Sequence, residues 1–214
     1  MEYLHIKRAM QKILFLLAIG LSLHSYSQYQ EDDYASGEKI FPSLKFDEAE
    51  ARNALAKGTT TLKGKAFTKR RDPLGFKNPF ADKIYANQIT VELFPYTAYY
   101  AEWYDLKRKK EKVKKNKIVY MDSKAYENRL TCVTNKVGDF TFPEMKPGKY
   151  ILVGTLPWNE TGYNDRYNGS QFDGNSGRTI NYYRREHYRI THSDFLMEII
   201  EIKEGEKLVK ADLK

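Results

Sequence analysis

Cysteine is almost missing from this chain: Cys132 is the only one among 214 residues. No internal disulfide can form, so the fold has to be held by packing alone. Histidine is nearly as scarce, with four in all, and only His187 and His192 lie beyond residue 27. Neither is followed by the acid that a His-x-x-Glu zinc pattern requires, since Glu186 precedes His187. The acids Asp165 and Asp173, with Asn164 and Asn175, have the atom types of calcium ligands, but they do not fit the twelve-residue D-x-[DN]-x-[DN]-G loop. Long hydrophobic runs are absent except at Ile13 to Leu23. Eleven residues fall well short of the ~20 that cross a bilayer. No metal site, cofactor site or catalytic constellation is therefore expected, and the chain reads as non-catalytic.

What is present begins with a sorting segment. Lys7, Arg8 and Lys12 precede the apolar run, and Ser25 and Ser27 supply small residues before Gln28. Residues 1–27 thus read as a signal peptide, which implies an exported protein, periplasmic or at the cell surface, with no transmembrane segment after cleavage. Cleavage would lower the formal net charge from +8 to +6, because the leader holds three bases and one acid.

Residues 28–45 have no sustained period and read as a flexible lead-in. A short helix is expected over 46–58, capped by Asp47 with Glu50 three residues on, stapled by Phe46 and ended at Gly58. The remainder, 59–214, has the period of strands. Thr59 to Phe67 and Gln88 to Phe94 alternate apolar with polar residues, with Pro95 as a stop and a long connection, Lys69 to Ala86, between them. Ile118 to Met121 and Asn128 to Asn135 follow, then Thr131 to Val153 adds two strands turned at Val137-Gly138 and Pro147-Gly148. Tyr182 to Thr191 reads as an edge strand, and Phe195 to Leu213 as a terminal hairpin around Glu204-Gly205. About seven short strands with turn signals between them predict a mainly β protein, an antiparallel β-sandwich.

Two insertions interrupt that pattern. Residues 157–178, rich in Gly, Asn and Asp, read as a long loop whose Trp158, Tyr163 and Tyr167 are candidate ligand contacts. Residues 97–117 contain no Gly or Pro and read as a helix that Thr97 can cap. Its first half spaces Tyr100, Trp103, Tyr104 and Lys107 on one face. From Lys107 to Lys117 eight bases meet one acid, a net of +7, so the rest of the exported chain is close to neutral. Lys107, Arg108, Lys109, Lys110, Lys114 and Lys115 are the candidate contacts of this basic arm. A lipid surface, an acidic polysaccharide or an acidic protein would suit it, whereas export argues against nucleic acid. Packing against the sandwich is the competing explanation of its aromatic face.

Thr134, Gly138, Phe140, Phe142, Pro147, Gly148 and Tyr150, with Leu62 and Gly64 earlier, form a pattern that resembles the carboxypeptidase regulatory-like (transthyretin- or prealbumin-like) β-sandwich domain. ITVELFP followed by AYYAEWY looks like a subgroup of exported bacterial proteins with that domain. The resemblance spans roughly 59–213 and implies a fold without implying one activity. Two enzyme families on this architecture can be checked. The ring-cleaving dioxygenases of this fold class hold iron with two Tyr and a His-x-His pair, but His187 and His192 are five apart and should face opposite ways on a strand. The transthyretin-like hydrolases end in Tyr-Arg-Gly-Ser, which this chain lacks. The reading that follows is an exported binding or scaffolding module of the cell envelope, working through the aromatic and basic helix. Its alternative is a metal-dependent carbohydrate-binding protein or enzyme that uses the 157–178 loop.

Overall fold

The computed structural model describes residues 37–70 and 80–214, and these form one unit. Residues 1–27, expected to be a signal peptide, and the first half of the expected lead-in lie outside the described residues, as does part of the 69–86 connection. Ten strands are present among the described residues, with three short α-helices. The fold is mainly β, as expected.

The first sheet is built on β2 (Thr60–Lys69). It pairs antiparallel with β7 (Asp139–Met145) and β3 (Lys83–Tyr85), and parallel with β10 (Leu208–Leu213). The second sheet has the order β6 (Leu130–Val133), β4 (Thr90–Pro95), β8 (Gly148–Asp173), β9 (Arg178–Ile202), antiparallel throughout. The inner faces meet in a core that includes Leu62, Phe140, Phe142, Leu152, Leu196 and Leu213. Phe140 and Phe142 share a face because residues two apart on a strand do, and both are buried.

A third layer covers the outer face of the second sheet. It comprises α1 (Glu48–Ala54), α2 (Ala98–Lys109), α3 (Ser123–Glu127) and a parallel pair of β1 (Glu38–Ile40) with β5 (Lys117–Val119). A second cluster fills the space beneath, with Phe94, Ile151 and Val153 from the sheet and Ala51, Tyr100 and Trp103 from the helices. Asp47 caps α1 by accepting the Glu50 amide, and Phe46 sets its ring edge-on to Tyr99 and Tyr100. Glu102 on α2 holds the incoming chain. It accepts from the Ser43 hydroxyl and from the Ser43 and Leu44 amides, and these bonds keep its carboxyl below the usual range.

Four expectations need correction. Residues 38–40 of the lead-in form β1, because β5 offers a matching edge. The inserted helix ends at Lys109 instead of running to residue 117; Asn116 turns left-handed after a single 3-10 turn and hands the chain to β5. The terminal segments do not form a hairpin: β10 crosses to the other sheet and pairs with β2, where its Val209, Ala211 and Leu213 meet Leu62, Gly64 and Ala66. Most consequential, residues 157–178 are not a loop. They form the outer part of β8 and the tip of one long hairpin, in which β8 and β9 pair from Gly148–Ile202 out to Asp173–Arg178. The true turn is confined to the residues between Asp173 and Arg178, where Asp173 accepts from the Asn175 amide and the Ser176 hydroxyl. The ladder is invisible to hydrophobic period because, beyond the sandwich, both faces of the ribbon meet water. Gly162 survives mid-strand because the Tyr188 ring lies over it, and a Cβ there would sit 2.4 Å from the Tyr188 oxygen. Asn168 is the extra residue of a bulge, followed by Gly169 at φ 123°.

Candidate functional site

Residues proposed from sequence as one aromatic and basic surface divide into two fates. Tyr100, Trp103 and Tyr104 are buried at 0%, 4% and 8% exposure, so they pack α2 onto the sheet and are not surface contacts. The 3.6-residue period that marked them is equally that of a packing face, and packing won. Lys107 follows them on the same side. Its ammonium pairs with Glu111, reaches the Val119 carbonyl and sits 5.0 Å above the Phe195 ring. Arg108 lies over Tyr104, and Lys109 pairs with Asp105.

The remaining lysines do gather. Lys109, Lys110, Lys112, Lys115 and Lys117 line a pocket of ≈ 480 Å³ between the end of α2, the 3-10 turn and β1, with Glu38 on the rim. Lys117 is neutralised by Glu38 and Lys109 by Asp105. Lys110, Lys112 and Lys115 have no ion-pair partner among the described residues. Lys112 is not among the contacts named from sequence, although it belongs to the same run; Lys114, which is, lies outside this pocket. The turn at Asn116, φ 56°, is what folds the run back on itself. Some of this charge complements the carbonyl end of α2, but a helix end needs one or two cations, and here five converge.

The second surface is the ribbon. Trp158 is buried, stacked on His192 at 4.2 Å, and His192 contacts the Glu160 carboxylate at 3.0 Å. Trp158 therefore belongs to the end of the core and is not an exposed contact. Tyr163 and Tyr167 are more than half exposed. They share a face with His187, Arg185 and Tyr183, because residues paired across the ladder point the same way. Arg185 bonds Asp165 and lies 3.9 Å over the Tyr163 ring, and Tyr167 meets Tyr183 edge-on at 5.9 Å. His187 and His192 are on opposite faces, as their odd separation requires.

Among the described residues no three His, Cys, Asp or Glu side chains are grouped to hold a metal. Asp165 and Asp173 are eight positions apart along β8, each held by neighbours within the ribbon. Cys132 is half-buried against the first core, and burial pushes its thiol up to about 11. A shift from about 9 to 11 cuts the thiolate fraction about a hundredfold at neutral pH. Alkylation of the folded protein by iodoacetamide at pH 8 should accordingly run about a hundred times slower than that of the urea-unfolded chain; comparable rates would show the thiol to be accessible and reactive.

No family model matches the chain, and no curated protein does. Among solved structures, one from Pseudomonas aeruginosa, described as that of a candidate carbohydrate binding protein, aligns with a TM-score of 0.49 and 17% identity, covering 79% of this chain and 97% of its own. A likeness this distant carries no argument about either fold or function. No helix among the described residues is long and apolar enough to cross a membrane.

Proposed function

We propose that the protein is an exported, non-catalytic binding module of the cell envelope, a divergent relative of the carboxypeptidase regulatory-like domains, which takes an anionic ligand at the lysine pocket. One observation carries this reading: three lysines with no counterion among the described residues, Lys110, Lys112 and Lys115, converge with two others on a single concavity. Like charges held together repel, so the arrangement is costly unless a ligand supplies the opposite sign. A carboxylate- or sulfate-bearing polysaccharide fits better than a lipid surface. Interfacial binding needs aromatic anchors beside the cations, and here Tyr100, Trp103 and Tyr104 point inward.

The test is titration of the purified protein with tri-galacturonate and with anionic vesicles across salt concentration. Each base near an anionic surface contributes ~1 kcal/mol, so Lys110→Gln with Lys112→Gln and Lys115→Gln should weaken trimer binding about a hundredfold at low salt. Wild-type affinity should also fall steeply as salt rises. Affinity within twofold of wild type in the triple variant, or binding to vesicles alone, would overturn the reading.

A further inference from the structure

α2, whose last residue Lys109 lines the lysine pocket, also reaches the ribbon through Lys107. The face of β8 and β9 that α2 covers near the sandwich is the face that carries the tyrosines farther out. Odd-numbered residues of β9 trace it: Met197 packed against the α2 layer, then Phe195, Thr191, Arg189, His187, Arg185 and Tyr183. Phe195 is 45% exposed and is the meeting point, because Lys107 from α2 lies over its ring. From Phe195 to Tyr183 is twelve residues, about 40 Å of strand.

We propose that this face is a binding track for a linear acidic glycan, which enters at the lysine pocket and runs outward across Phe195 along the ribbon. The inference rests on the pocket reading above and names the length and chemistry of its ligand. Three features select a glycan chain. First, the exposed rings recur instead of clustering: Phe195, then Tyr163 beside His187, then Tyr167 beside Tyr183. Aromatic faces stack on the C–H-rich faces of sugar rings, and a row of them suits a repeating polymer. Secondly, polar groups that hydrogen-bond hydroxyls alternate with the rings: Asn159 and Thr191, bonded to each other at 2.9 Å, and the Arg185–Asp165 pair. Thirdly, the charge is of one sign on balance: Glu111 offsets Lys107 and Asp165 offsets Arg185, while Arg189 has no ion-pair partner among the described residues. That balance complements uronate groups and opposes a second copy of the chain, since face-to-face stacking of two ribbons would bring like charges together. The turn at the tip, Asp173 to Gly177, is itself polar.

Polygalacturonate and tri-galacturonate separate the two claims, because the trimer is too short to reach from the pocket to the outer tyrosines. The variant carries Tyr163→Ala, Tyr167→Ala and Tyr183→Ala, all at exposed positions, and its far-ultraviolet circular dichroism should match the parent. Calorimetric titration should then show polymer affinity reduced at least thirtyfold while trimer affinity stays within twofold. The lysine variant should lose both. Polymer affinity unchanged in the tyrosine variant overturns the track and leaves the pocket standing. Trimer affinity unchanged in the lysine variant overturns the pocket reading. Absence of polymer binding by the wild-type protein, or a wild-type dimer in sedimentation that the tyrosine variant dissolves without change in polymer affinity, overturns the track as well.

Discussion

Alanine at Gly64 is expected to cost about 3 kcal/mol or more, a large share of the ~5–15 kcal/mol typical of a native domain, because adding carbon to a filled core is seldom absorbed. Gly64 lies on β2 between Ala211 of β10 and Phe140 of β7. A Cβ there would stand 2.1 Å from the Ala211 carbonyl oxygen and 2.3 Å from the tip of the Phe140 ring. The ring is buried and has little room to turn, and the carbonyl belongs to the backbone of the neighbouring strand. Relief requires β10 to move away, which would break a parallel ladder of six residue pairs. Gly154→Ala is the control: its Cβ would meet the ends of Leu213 and Ile89, at 3.2 and 3.4 Å, and the Thr90 carbonyl oxygen at an ordinary contact distance of 3.6 Å. Urea midpoints should place the Gly154 variant near the parent and the Gly64 variant far below it. Equal midpoints would mean that β10 is not docked where described.

Loss of the Tyr100 side chain is the second large effect. Tyr100 is fully buried, with Phe94, Tyr99 and Phe46 rings 5.4 to 5.8 Å away. Its hydroxyl donates to the Ala125 carbonyl at 2.7 Å and lies 3.1 Å from that of Asn128, so it ties α2 to the end of α3. Burial holds the phenol well above its ordinary pKa, so it stays protonated and donating throughout the accessible range. Tyr100→Ala opens a cavity and strands both carbonyls; about 4 kcal/mol is expected. Tyr100→Phe keeps the ring and removes only the donor, at about 1–2 kcal/mol. Trimer binding by the Phe variant should equal that of the parent. A phenylalanine variant as stable as the parent would show that the hydroxyl does not hold the two helices, and one with weakened binding would return the aromatic face to the ligand site.

These residues also show what the sequence discloses and what it hides. Gly64, Phe140 and Phe142 were legible because a strand with one dry face writes that face into alternate positions. The start of α2 was legible in its spacing, but spacing cannot say whether a ring row faces a core or a ligand. The folding back of the lysine run depends on one left-handed residue, Asn116, which composition does not reveal. The ribbon was misread for the converse reason. With water on both sides it needs no alternation, and Gly, Asn and Asp there make cross-strand contacts that only pairing exposes. Likewise, β10 has the period of a strand, but nothing local tells it to join β2 in parallel instead of folding onto β9.

That last pairing has a kinetic consequence. β2 lies near residue 60 and its parallel neighbour near residue 210, so about 150 residues must be threaded into place before they meet. Pairings so remote in sequence form slowly. During synthesis, β2 emerges first and waits with one flank bare until the far strand follows. Over that interval a chaperone, or another chain's exposed strand, competes for the same flank.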